Sequence, residues 1–195
     1  MGPLEGIRVL DFTRVVAGPL ATRILADQGA EVIKVEPPEG DLSRTFPPFR
    51  PEQVTPYFAQ QNAGKHFCSF DLSKGKTPDL IAELAAECDV IVENFRPGVM
   101  AKYGLDYERL SEGNPRLVYC SITGFGQTGP WAKRRAYAPI GHLESGLVEY
   151  DKRKNNREAR QPSLVLGDSV TALSAAAAIN ALLVQAERHG LGGHL

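Results

Sequence analysis

Strand-like and helix-like segments take turns along the first two-thirds of the chain, and no other feature narrows the fold as much. Ile7–Asp11 has the makings of a short buried strand. Pro19 to Gln28 then places Leu20, Ile24 and Leu25 on one side at helical spacing, and Gly29 is a natural stop. Glu31–Glu36 is a second strand, halted by Pro37 and Pro38, and Phe67 to Leu72 a third. Thr77, Pro78 and Asp79 suit the N-cap and first two positions of a helix, which would put Leu80, Ile81, Leu84, Ala85 and Cys88 on one face. Asp89–Glu93 and Leu117 to Ile122 supply a fourth and a fifth strand, and an Ala-rich stretch, Val170 to Glu187, reads as a long helix ending at His189-Gly190. Beyond it another strand is expected to begin. This alternation implies an α/β fold with a doubly wound, mostly parallel, Rossmann-like sheet.

Such a sheet binds ligands at the carboxyl ends of its strands. Here those ends carry Thr13–Pro19, Pro37–Asp41, Asn94–Gly98 and Thr123–Gly126, all rich in Gly, Pro and polar groups, as loops built around a ligand tend to be. Any one of them alone would pass for a turn. The formal match to G-x-G-x-x-G at Gly124–Gly129 follows a strand, but Pro130, Trp131 and Lys133–Arg135 come next with no apolar periodicity. A dinucleotide site needs a helix opening inside the motif, so a Gly-rich loop beside a pocket is the better reading.

The 195 residues, 43% of them hydrophobic, suffice for a real core. A net charge of −1 argues against a dedicated nucleic-acid binder. Cys68, Cys88 and Cys120 form no C-x-x-C pair, which fits neither a zinc site nor a disulfide framework but does fit a reducing compartment. The start lacks an apolar leader core and a myristoylation signal, and no window reads as 18 apolar residues, so a cytoplasmic protein without membrane contact is expected. The polar run Tyr150 to Arg160 reads as a solvated loop, with a lid role left open. His66, His142, His189 and His194 show no metal spacing, and no metal is expected; His142, near Tyr137, is either structural or an acid/base. Lys102, Lys133, Arg134 and Arg135 are either solvated or aimed at phosphates.

Asp168, in Leu166-Gly167-Asp168-Ser169, opens the Ala-rich helix. A carboxylate in a first turn meets unpaired N–H groups and the positive end of the helix dipole. It can serve as a cap or as a held, ionised nucleophile, and the residues around it do not choose between the two.

Seven blocks do choose. They are Leu4–Asp11, Ala17–Pro19, Asp27–Glu36, Gly40-Asp41, Val92–Gly98, Ser121–Pro130 and Leu166–Asp168. In this order and at this spacing they resemble the family III CoA-transferases, whose relatives include the α-methylacyl-CoA racemases. The resemblance implies an acyl-CoA site with Asp168 as the nucleophile, forming first a mixed anhydride and then an aspartyl-CoA thioester. It implies CoA contacts at Val16 and Ala17, at Phe70, Asp71, Leu72 and Ser73, at Asn94, Phe95 and Arg96, at Lys102, and at Arg135, Ala136 and Tyr137. Acyl-CoA and a small carboxylic acid would be substrates, with no permanently bound cofactor.

Two departures bear on the substrate. Val16 stands where formyl-CoA transferase has Gln, and Pro37 where it has Arg, which counts against formyl-CoA and oxalate. Ala136-Tyr137-Ala138 replaces the Gly-His-Asp of the racemases, which favours a transferase over a 2-methylacyl-CoA racemase. Length is the third departure. The resemblance implies that residues 1–195 are the N-terminal, CoA-binding portion of a longer fold with a second domain and a returning C-terminal segment. In its complete form it would be an interlocked homodimer. A fragment, a truncated frame or one piece of a split enzyme with a C-terminal partner half would each look like this, as would a non-catalytic subunit. The Ala-rich helix would then leave apolar surface uncovered.

Overall fold

The computed structural model describes residues 2–49, 55–162 and 164–195. Six strands form one all-parallel sheet in the order β3-β2-β1-β4-β5-β6. They are β1 Arg8–Asp11, β2 Glu31–Glu36, β3 His66–Ser69, β4 Val90–Glu93, β5 Val118–Ser121 and β6 Gly193–His194. The last is the strand expected after the long helix, and it pairs Val118 with Gly193 and Tyr119 with His194. Helices cover both faces, as a parallel sheet requires. Strand alternation sorts the core into two layers. Leu10, Ile91 and Tyr119 point one way, toward Ile81, Ala85 and Cys88 of the segment containing α3 (Thr77–Ala86). Val9, Val90, Val92 and Val118 point the other way, toward Leu25 of α1 (Ala17–Asp27) and toward Ala176 and Ile179 of the long helix.

Several boundaries differ from the sequence reading. The N-cap of α3 is Lys76 rather than Thr77, no side chain caps it, and Leu80 is half exposed because Ile81 and Ala85 take the inner face. A 3-10 turn, Leu42–Thr45, and α2, Pro56–Asn62, precede β3. Two short helices, α4 (Val99–Lys102) and α5 (Tyr107–Ser111), follow β4, and α6 (Ala138–Glu144) follows β5. The run read as a loop from Tyr150 begins inside a helix, α7 Leu147–Asn155, whose turns are joined by Glu149 and Arg153 at 2.7 Å. Solvated charge at i, i+4 spacing suits a surface helix as well as a loop.

The long helix, α8 Leu166–His189, closes on Gly190 in the left-handed conformation. Its seam of Ala172, Ala176, Ile179 and Ala186 lies on α1 and the sheet, while Val170, Leu173 and Val184 stay exposed. Contrary to the sequence reading, its 24 residues are long and apolar enough to span a membrane by length and composition, because alanine counts toward such a stretch on every face. In this fold it covers one face of the sheet.

Two buried ion pairs fix the loop after β1. Asp11 accepts from Lys65 Nζ (2.9 Å), Thr22 Oγ1 (2.7 Å) and both N and Oγ1 of Thr13 (2.8 and 2.5 Å). Lys65 also donates to Pro19 O and Asn62 Oδ1, both at 2.9 Å. On the far side of the loop Lys34 Nζ donates to Thr13 O (2.6 Å) and pairs with Asp41 at 3.3 Å, and Asp41 accepts from Val15 N and Ser43 N. Burial pushes the Asp11 carboxyl up, but Lys65, Lys34 and the two threonine hydroxyls outweigh it and bring it down to about 2. Burial likewise draws the Lys65 ammonium down to about 8, against the pull of Asp11.

Removing one member leaves the other charge buried alone, which costs about 3–5 kcal/mol. Asp11→Asn should therefore lower stability by that amount in urea melts, and the pair substitution with Lys65→Met by less than the sum of the single changes. The Asp11 carboxyl is depressed in the fold, so its contribution is complete above its ordinary value and is lost as pH falls from 3.8 through about 2. That contribution is roughly 2 kcal/mol, and the gap between acid melts of wild type and Asp11→Asn should narrow by that amount across this window.

Candidate active site

The strand order reverses direction between β1 and β4, and the loops leaving them part there to form a crevice. A cleft of about 500 Å³ opens at this point. Its walls come from the loops after β1, β4 and β5 and from the first turn of α8.

The β1 loop enters the cleft under strain. Val15 has a φ of +70°, a region β-branched residues avoid, and Asp41 holds it there by accepting from its amide at 3.1 Å. Gly18 lets the next turn lie on the loop, since a Cβ at that position would come within 2.2 Å of Thr13. Asn94, at the end of β4, locks the two loops together: its Oδ1 accepts from Arg14 N and its Nδ2 donates to Arg14 O, each at 2.8 Å. The Arg14 guanidinium lies 4.9 Å from the centre of the Phe95 ring. Beneath Phe95, Glu93 Oε2 accepts its amide at 2.8 Å. Burial pushes the Glu93 carboxyl up, opposed by hydrogen bonds from Ser121, Phe95 and Gln127.

No helix opens within Gly124–Gly129; α6 starts only at Ala138. The Gly-rich loop instead packs against the following segment, where a Cβ on Gly124 would meet Ala136 at 2.1 Å. Arg134 lies 4.5 Å from the Trp131 ring centre and 3.7 Å from Glu144, and both Arg134 and Arg135 line the cleft.

Asp168 completes the wall. It is the third residue of α8, not its N-cap, which is Val165, and among the described residues its carboxyl accepts no hydrogen bond. Burial raises its carboxyl above the ordinary aspartate value, with His142 opposing. The cap reading of Asp168 therefore fails on geometry. Tyr57 in α2, outside the cleft lining, is near enough to feel both carboxylates: its hydroxyl is made less acidic by burial and then by the charges of Asp168 and Asp41. Thr55-Pro56 is a cap and first-position pair that signals this helix, and Thr55 Oγ1 does accept from Phe58 N at 3.1 Å.

Of the expected site residues, Val16, Ala17, Asn94, Phe95, Arg96, Arg135, Ala136, Tyr137 and Asp168 line this one cleft. Phe70, Asp71, Leu72, Ser73 and Lys102 lie outside its lining. Phe70 and Leu72 pack on the core beside α3, and Asp71 closes a turn by accepting from Ser73 N at 2.9 Å. This turn sits at the carboxyl end of β3, on the same edge of the sheet but two strands from β1. Lys102 ends α4, its Nζ 5.5 Å from the Tyr103 ring centre.

A six-stranded parallel sheet in this order, with its crevice between β1 and β4, defines a Rossmann-like α/β protein of the kind that holds nucleotide-bearing ligands. The sequence pattern described as CoA-transferase family III matches residues 4–195, and the chain belongs to that family. It is 45% identical over 192 residues to the human succinyl-CoA:glutarate CoA-transferase, which covers 97% of this chain and 43% of that protein. It is 39% identical to the acetyl-CoA:oxalate CoA-transferase of Acetobacter aceti, covering 100% of this chain and 50% of that one. The crystal structure of a CAIB/BAIF family protein from Brucella suis superposes with a TM-score of 0.92 at 40% identity, over 100% of this chain and 52% of the other. The chain thus spans about half the length of the relatives it matches.

If Asn94 clamps the crevice, Asn94→Ala should release the Arg14 amide. Losing one hydrogen bond of about 1 kcal/mol corresponds to roughly fivefold faster hydrogen exchange at Arg14. Amides inside β1 should be unchanged in the same experiment.

Proposed function

We propose that the chain is the CoA-binding, nucleophile-bearing half of an enzyme that moves CoA from an acyl-CoA thioester to a dicarboxylic acid. The observation that carries this reading is the carboxyl of Asp168, which accepts no hydrogen bond among the described residues and lies half-buried at the wall of the switch-point cleft with its basicity raised by burial. In this reading the carboxylate attacks the thioester carbonyl, the C–S bond breaks, and CoA leaves as thiolate with a mixed anhydride on Asp168. The thiolate returns to the aspartyl carbonyl and expels the donor's carboxylate, leaving an aspartyl-CoA thioester. The acceptor's carboxylate then displaces the thiolate to form a second anhydride. Thiolate attack on the acceptor's carbonyl completes the exchange and restores Asp168.

Val16, Ala17, Asn94, Phe95, Arg96, Arg135, Ala136 and Tyr137 would hold CoA within the cleft. Phe70–Ser73 and Lys102 would meet the outer parts of the same long ligand along the strand ends. The relatives' names support a dicarboxylate acceptor, since glutarate and oxalate share that chemistry. A racemase is disfavoured because Tyr137 and Ala138 stand where its His and Asp would be, and the Nε2 of His142 is engaged by a backbone amide. The reading also includes a C-terminal portion, on this chain's continuation or on a partner, packed on the exposed Val170, Leu173 and Val184 side of α8.

Mixing the protein with succinyl-CoA and glutarate, alone and with the C-terminal half of a longer relative, and following CoA exchange by mass tests the class. Racemisation of a 2-methylacyl-CoA without exchange would sink it. Asp168→Ala should abolish exchange while changing stability by less than about 0.5 kcal/mol, because no cap bond is lost. Only the anion attacks, so wild-type exchange should fall on the acid side at a pH above the ordinary aspartate value.

A further inference from the structure

The first turn of α8 has no cap of its own. Val165 makes no side-chain bond at the N-cap position, and Asp168 is two residues beyond the helix start. One amide of that turn is nevertheless satisfied from another helix: Gly167 N donates to Nε2 of His142, on α6, at 3.0 Å. A backbone N–H only donates, so Nε2 holds a lone pair and the ring proton sits on Nδ1. That nitrogen faces Gln161 Oε1 at 3.3 Å, and Gln161 Nε2 in turn meets Pro139 O at 3.4 Å. The imidazole is almost fully buried, with 3% of the residue exposed. His142 therefore fastens the turn that carries Asp168 to the helix whose start carries Tyr137 and Ala138 of the cleft wall.

We propose that His142 is a positioning residue for Asp168, holding the nucleophile in register with the cleft through the Gly167 amide; this rests on the transferase reading above. A first-turn N–H left unpaired lets the helix start fray or shift. A displacement of about 1 Å at a reacting atom costs on the order of a hundredfold in rate. Glutamine can present an acceptor oxygen where Nε2 now lies; alanine cannot.

The test uses isotope-labelled protein with wild-type, His142→Ala and His142→Gln sequences. Long-range proton–nitrogen spectra should show His142 protonated on Nδ1, and His142→Ala should shift the Gly167 amide while the amides of β1 stay in place. Acylation of Asp168 at saturating succinyl-CoA, trapped with hydroxylamine and read by mass, should slow about a hundredfold in His142→Ala and return to within tenfold of wild type in His142→Gln. CoA affinity by calorimetry should stay within about twofold in both. An Nε2-protonated ring, an unmoved Gly167 amide, or a His142→Ala protein that acylates at the wild-type rate would overturn the proposal. So would parallel loss of CoA binding and acylation, which is what general unfolding of the region produces. A wild-type Asp168 that is never acylated, alone or with the C-terminal half of a longer relative, while the tautomer and the Gly167 contact are as described, would overturn the transferase reading instead.

Discussion

The loop leaving β1 is held by two buried lysine–carboxylate pairs, and the cleft depends on that hold. Asp11 with Lys65 and Asp41 with Lys34 grip it from opposite sides, and Thr13 links the two through its amide and hydroxyl on one side and its carbonyl on the other. Buried pairs of this kind seldom add net stability over an apolar core, but they are unforgiving of displacement, since any slip strands a charge. That makes them suited to holding backbone in an unfavourable place. Val15 at positive φ is such a place, and it lies where the cleft begins.

From that fixed loop the rest of the crevice is assembled by short polar links. Asn94 joins the β1 and β4 loops, and His142 joins α6 to α8. Each spans a gap between elements far apart in sequence, and each satisfies a backbone amide at an element's end, where the fold supplies no partner. The proposed nucleophile is the exception. Among the described residues the Asp168 carboxyl accepts no hydrogen bond, so its placement falls to its neighbours.

The helix that carries Asp168 also has a second face. Its alanine seam meets α1 and the sheet, and small side chains allow that close approach, while Val170, Leu173 and Val184 remain in solvent. An apolar stripe left open beside a cleft, on a chain spanning about half the length of its relatives, is consistent with a site that is finished by further protein.

Much of this was legible in the sequence. Apolar strands bounded by Gly and Pro, alternating with amphipathic helices, dictate a parallel doubly wound sheet because only crossover helices can cover both of its faces. Once the sheet is parallel, the strand ends must share one edge, so the loops at Thr13, Asn94 and Gly124 could be assigned to one site by number alone. What sequence could not reveal was partnership at a distance. The i, i+4 pattern does not show that Leu80 faces water, since α3 turns Ile81 and Ala85 inward. Composition makes Asp168 an apt cap, yet the amide beside it is taken by an imidazole 25 residues away. Lys65 and Asp11 are 54 residues apart, and nothing local marks either as buried. Local chemistry set the elements and their order; which polar groups meet was decided only by packing, because each such contact joins segments that neither period nor propensity relates.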